Sequence, residues 1–398
     1  MKSFLLLLLT AAALFGATTE ALVKRALAAH PSLHAIEKRL SAFDDYESAS
    51  RNFYDPQLSL TLNDIQFDDP FDRSLEPMQY SAVNLTQKFP WFGKRDARTR
   101  DVGAKKRVVF ASLEAARVKL AEAVRKTAYT IDELTQRLQV LDDYRKLTRQ
   151  NIELNTAYTS TQNSRHMGIM SAELTLSQIK IRTEKLRAAL AAQRAKLAYL
   201  VQAPADSVNV GVPVGPLPDK AALLARLDTN PDVRVASART EAAEARSALK
   251  AAESDADPYV KMGYFYREAH PDYASITVGA SLPIYGTQHD AEEAARKEAL
   301  AARSERADTH ARVRSDFERA WAELTEAYRV HRIIVEESLP QVAHMFDLSN
   351  AKIRSGGELF AYIDLLEQKL RLDEQRITAE AAYRRALATL NALTGETE

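Results

Sequence analysis

The sequence predicts a mainly α-helical chain that also supplies strands to a membrane β-barrel. Its unit, a β-hairpin plus long coiled-coil helices, is duplicated. Three observations carry this. The same order of turns and elements occurs twice, about two hundred residues apart. Four short segments alternate polar and apolar residues with period two. The stretches between them are nearly free of proline and glycine, which number only 14 and 12 in 398 residues and cluster at turns.

The elements follow in order. Met1-Lys2, the apolar run Phe4 to Leu9 and then Ala11 to Ala17 read as a secretory signal peptide over residues 1–17. The run is too short for a membrane helix of about 20 residues. A first repeat follows over 18–203, with strands at about 57–66 and 79–89, a long helix at about 94–161 and a returning helix at about 171–202. A connector at 204–219, rich in proline and glycine, leads to a second repeat over 220–398. There the strands fall at about 258–267 and 273–283, the long helix at about 288–352 and the returning helix at about 358–394. His30-Pro31 is answered by Asn230-Pro231, and Asp55-Pro56 by Asp257-Pro258. Phe89-Pro90-Trp91-Phe92-Gly93 is answered by Leu282-Pro283-Ile284-Tyr285-Gly286, and Met167-Gly168 by Ser355-Gly356-Gly357.

Each strand has one wet and one greasy face. Gln57, Ser59, Thr61 and Asn63 alternate with Leu58, Leu60 and Leu62, and Ser275, Thr277 and Gly279 alternate with Ile276, Val278 and Ala280. Phe265 interrupts the polar side of the third strand. Strands of about ten residues suit a tilted membrane barrel, and Phe89, Trp91, Phe92 and Tyr285 at their ends suit an interfacial aromatic girdle. Four strands cannot close around a lumen, so their edges need further copies; three copies supply twelve strands.

From Lys94 to about Thr161 there is no proline and only Gly103, which predicts a helix of roughly 100 Å at 1.5 Å per residue. Ile131, Leu134, Leu138 and Leu141 follow coiled-coil steps, as do Leu186, Leu190, Leu197 and Leu200 on the returning helix. Val313, Phe317, Ala320 and Leu324 do so in the second copy, where Pro340 predicts a kink.

Composition narrows the function classes. Charge is balanced at 54 basic and 54 acidic residues, which removes a global electrostatic case for nucleic acid. The absence of cysteine excludes disulfides, thiolate metal sites and a lipid anchor on an N-terminal cysteine. No phosphate-binding glycine loop, nucleophile elbow or zinc motif appears, so no catalytic residue and no cofactor is expected. His30, His34 and Glu37 have a spacing that could hold a metal, but His30-Pro31 reads better as a helix start, so no metal is assigned. The basic cluster from Lys94 to Arg107 reads as a helix surface opposed by acids of neighbouring helices.

The element order, the duplication, Gln87-Lys88-Phe89-Pro90-Trp91-Phe92-Gly93-Lys94-Arg95 and Gly356-Gly357-Glu358-Leu359 resemble the TolC-type outer-membrane efflux ducts over nearly the whole mature chain. The resemblance implies a homotrimer in which a twelve-stranded barrel crosses the outer membrane above a helical tunnel in the periplasm. The implied partners are a periplasmic adaptor (membrane fusion) protein, an inner-membrane pump of the resistance-nodulation-division (RND) type exporting heavy-metal cations or drugs, and outer-membrane lipid. It further implies that the helical tips narrow the tunnel. Asp364, Glu367 and Glu173 are then the constriction candidates, and Gly168, Gly356 and Gly357 the tip turns where the adaptor docks. Two rival readings remain. One is the exit duct of a type I peptide or protein exporter; the other is a periplasmic coiled-coil adaptor or scaffold without a pore.

Overall fold

The computed structural model describes residues 17–91, 93–157, 163–204, 208–354 and 359–396. The elements run β1 (Ala17–Thr18), α1 (Thr19–Ala29), α2 (Pro31–Ser50), β2 (Gln57–Asn63), β3 (Tyr80–Lys88), α3 (Lys94–Ala157), α4 (Asn163–Val201), β4 (Val208–Asn209) and α5 (Lys220–Ala225). A 3₁₀ turn at Leu227–Thr229 leads to α6 (Pro231–Glu253), β5 (Pro258–Tyr266), β6 (Tyr273–Ala280) and α7 (Thr287–Ile333). A π-helical turn (Ile334–Ser338), α8 (Leu339–Arg354) and α9 (Leu359–Leu393) complete the chain. It divides into two compact units, one of residues 35–113 and 233–310, the other of residues 1–34, 114–232 and 311–398.

The first of these units holds the sheet, which is antiparallel in the order β2-β3-β5-β6. The two hairpins are therefore not separate: β3 pairs with β5, with Leu85 opposite Met262 and Val83 opposite Tyr264. Among the described residues, β2 and β6 leave their outer edges without a further strand. The strands are shorter than expected because the chain leaves the ladder early into the connecting loops. The loop after β2 is more ordered than its two prolines suggest. Gln79 is buried and donates to the carbonyls of Asp64 and Asp72, while Arg73 donates to the carbonyls of Asn63 and Tyr80. Two side chains thus satisfy backbone oxygens of the loop and of the strand ends that flank it.

The second unit is helical. Its core holds Ile131, Leu134 and Leu141 of α3, Leu197 and Leu200 of α4 and Phe317 and Leu324 of α7 from the seam read in the periodicity, together with Ile179 of α4 and Ile363, Leu366 and Leu370 of α9, all buried. α9 packs on α4 and α8. Pro340 does not simply kink its helix. A π turn precedes it, in which the Leu339 N–H donates to the carbonyl of Ile334, five residues back. The wider turn shifts the backbone where the proline ring would otherwise strike the preceding helical carbonyls. The connector is tied down at β4, which pairs in parallel with β1, and by Arg384, whose Nε donates to the Val212 carbonyl at 2.7 Å.

Candidate functional site

The sheet has two faces of opposite chemistry. Register places Leu58, Leu60, Leu62, Val83, Leu85, Val260, Met262, Ile276 and Val278 together on one face. That face is open within the chain, with Leu60 77% and Val278 73% exposed. Gln57, Ser59, Thr61, Asn84, Thr86, Lys261, Ser275 and Thr277 share the other face, where Asn84 donates to the Thr61 hydroxyl at 3.2 Å. A chain that leaves so many large aliphatic side chains in contact with solvent is incomplete without an apolar medium. No described helix is long and apolar enough to cross a membrane.

At the helix end of the sheet, each hairpin turns into a long helix through a glycine in the left-handed region, Gly93 at φ +77° and Gly286 at φ +76°. The Gly93 carbonyl accepts from Ala97 N and the Gly286 carbonyl from Asp290 N, both at 2.9 Å, starting α3 and α7. Lys94 is buried beside the first turn. Its Nζ donates to the Asp255 carbonyl at 2.6 Å and pairs with Asp257 at 2.8 Å, binding the start of α3 to the approach of β5. The predicted girdle positions Phe89, Trp91 and Tyr285 are all exposed, Tyr285 at 89%; Phe92 lies outside the described residues. The basic cluster is answered by acids: Lys105 meets Asp101, Lys106 meets Asp44 and Glu47, and Arg107 meets Glu241.

The tip candidates separate. Gly356 and Gly357 lie outside the described residues. Gly168 is not a turn: it lies inside α4, which begins at Asn163. The local sequence Met167-Gly168 carries no second breaker, so helix continuity prevails at the glycine's modest cost. Asp364 is exposed on α9 and accepts from Gln368 Nε2 at 2.8 Å. Glu367 is half-buried instead, accepting from the Thr175 hydroxyl of α4 at 2.7 Å. Glu173 is exposed. One turn of helix therefore separates a solvent-facing acid from one engaged in helix packing, although both lie within a single i, i+3 step.

Three acids of α9 that periodicity does not single out fasten it to neighbouring helices. Glu374 of α9 meets Arg182 of α4 at 3.4 Å and Arg137 of α3 at 3.3 Å. Glu380 meets Arg376 at 2.5 Å and His331 of α7 at 3.4 Å. Tyr144 of α3 donates to Asp373 of α9 at 2.8 Å, and burial together with that carboxylate pushes its pKa well above the usual tyrosine range. Charge runs alone do not show which acid faces which base across helices.

His30 caps a helix. Its Nδ1 accepts from Ser32 N at 3.3 Å, and its ring meets Tyr199 edge-on at 5.4 Å. The answering Asn230 does the same through Oδ1, which accepts from Asp232 N at 2.9 Å. Among the described residues, no group of three or more histidine or acidic side chains is placed to hold a metal.

No protein-family model and no curated protein matches this sequence. Solved structures do match in three dimensions. The open-state MtrE outer-membrane channel of Neisseria gonorrhoeae superposes with a TM-score of 0.79 at 15% identity, over 95% of this chain and 89% of that one. VceC, an outer-membrane protein of Vibrio cholerae, gives 0.76 at 17% identity, over 96% and 97%. The CmeC outer-membrane channel of Campylobacter jejuni gives 0.77 at 12% identity, over 95% and 85%. The chain has the fold of these channels, along nearly its whole length.

Proposed function

We propose that this protein is an outer-membrane channel of the TolC type, the exit duct of a tripartite efflux machine, acting as a homotrimer. One observation carries the proposal: a four-stranded sheet with a dry face open to its surroundings, a wet face behind it and two free edges, in a chain folded like known outer-membrane channels. Lipid covers the dry face, neighbouring copies complete the edges, and the wet faces of three sheets line a twelve-stranded passage. Below the barrel, the long helices continue the passage across the periplasm. The duct performs no chemistry; a periplasmic adaptor docks at the helical tips and an inner-membrane pump of the RND type delivers metal cations or drugs.

The tips set the resistance. Three-fold repetition turns Asp364 into a ring of carboxylates, and Glu173 adds acids on the facing helix. Opening moves α4 and α9 apart, which requires release of the Thr175–Glu367 and Arg182–Glu374 contacts. The reading is tested by planar-bilayer recording of the purified full-length protein. Discrete conductance steps blocked by divalent cations are expected, and Asp364→Asn weakens that block severalfold. A wild-type chain that stays a monodisperse monomer in buffer without detergent overturns the duct. Identical block in Asp364→Asn removes that acid from the constriction.

A further inference from the structure

The wet face of the sheet is not uniformly wet. Hydroxyl, amide and lysine side chains fill its middle and Tyr259 lies at its helix end, while at the loop end three rings stand together. Tyr80 begins β3, Phe265 lies one residue before the end of β5, and Tyr273 begins β6. Register sets Phe265 directly opposite Tyr273, and the two rings stack with centroids 4.5 Å apart and planes 4° apart. Tyr80 meets Phe265 edge-on at 5.0 Å. The guanidinium of Arg267 lies 5.1 Å over Tyr273 and is held by the Pro271 carbonyl. The row therefore runs unbroken across three of the four strands.

Gly263 makes this packing possible. A Cβ there would come within 2.7 Å of the Phe265 ring and 2.6 Å of Asn84 Oδ1, so only glycine lets the ring lie back along its own strand. The rings support one another, while Tyr273 keeps 40% of its surface open. An aromatic row fixed by stacking, by edge-on contact and by a bare backbone beneath it is a rigid object at the loop end of that wall.

We propose that Tyr80, Phe265 and Tyr273 form an aromatic collar at the outward end of the passage, a size filter against bulky hydrophilic solutes entering from outside the cell. The inference rests on the reading that the wet face lines the duct. Each copy contributes one row, so an assembly repeats it as arcs around the wall, and bulky rings standing on that wall narrow the passage there. The collar stands on strands and not on the tip helices, and so acts whether the periplasmic tips are open or closed.

The cysteine-free chain offers a clean test. Thr277→Cys places a single thiol on the wet face, on the helix side of the collar. Intact cells producing the full chain are treated with N-ethylmaleimide, or with a graded series of maleimide-polyethylene glycols. The small reagent is expected to label the thiol equally with the collar intact or replaced by Phe265→Ser and Tyr273→Ser. The larger polymers are expected to label severalfold more when the collar is replaced. An unchanged size cut-off overturns the collar while leaving the duct standing. Failure of the small reagent in both backgrounds overturns the duct and, with it, the collar. Should the double replacement not assemble, Phe265→Leu keeps the apolar contact with Tyr80 and removes the stack. A smaller shift of the cut-off in the same direction is then expected, and no shift overturns the collar.

Discussion

Tyr144 shows how one side chain joins helices that a one-dimensional reading leaves apart. Its hydroxyl is buried and donates to Asp373, which also meets Lys369 at 3.4 Å. The folded chain therefore favours the protonated phenol, and its pKa is raised above the unfolded value. The associated stability is fully present below about pH 10, the ordinary tyrosine pKa, and is lost as pH rises beyond it. Tyr144→Phe is expected to cost about 1 kcal/mol near neutrality. The difference from wild type should shrink above pH 10 in denaturant melts of the detergent-solubilised protein. A difference independent of pH would show that the hydroxyl does not titrate with unfolding.

At the scale of elements, the joints between strand and helix matter more than the strands themselves. Gly93 and Gly103 make a controlled pair. Neither has an atom within 4 Å of a Cβ position, yet Gly93 sits at φ +77° while Gly103 lies inside α3. Gly93→Ala is expected to destabilise by about 1–2 kcal/mol through left-handed strain. Gly103→Ala is expected to stabilise by about 0.5–1 kcal/mol by removing backbone freedom from a helix interior. Thermal unfolding followed by circular dichroism reads both, and equal signs would refute the assigned conformations. The turn glycine was legible from Pro-x-x-Gly. The turn expected at Met167-Gly168, by its match to Ser355-Gly356-Gly357, falls inside α4 instead, because a single glycine does not stop a helix.

At the scale of the whole molecule, the two faces of the sheet predict an asymmetry between neighbouring residues. Leu60 and Thr61 are adjacent, but one faces the dry side and the other the wet side. Leu60→Lys is expected to cost about 2–4 kcal/mol if the site lies near the bilayer midplane, whereas Thr61→Lys is tolerated. Recovery of assembled protein in the outer-membrane fraction separates them: a severalfold loss for Leu60→Lys alone supports the proposed lining, and equal recovery overturns it.

By itself the sequence determined the local geometry: period-two strands with a greasy face, long helices in the stretches poor in proline and glycine, and turns where glycine follows Pro-x-x. These depend on side-chain alternation and backbone sterics over a few residues, which neighbours in the chain carry in full. Only the tertiary structure decided that β3 pairs with β5, that Glu367 meets Thr175 while Asp364 stays outside, and that three aromatic rings on separate strands form one row. Each joins residues far apart in the chain. Which partner an amphipathic element meets is set by packing the whole chain at once, so no local pattern contains it.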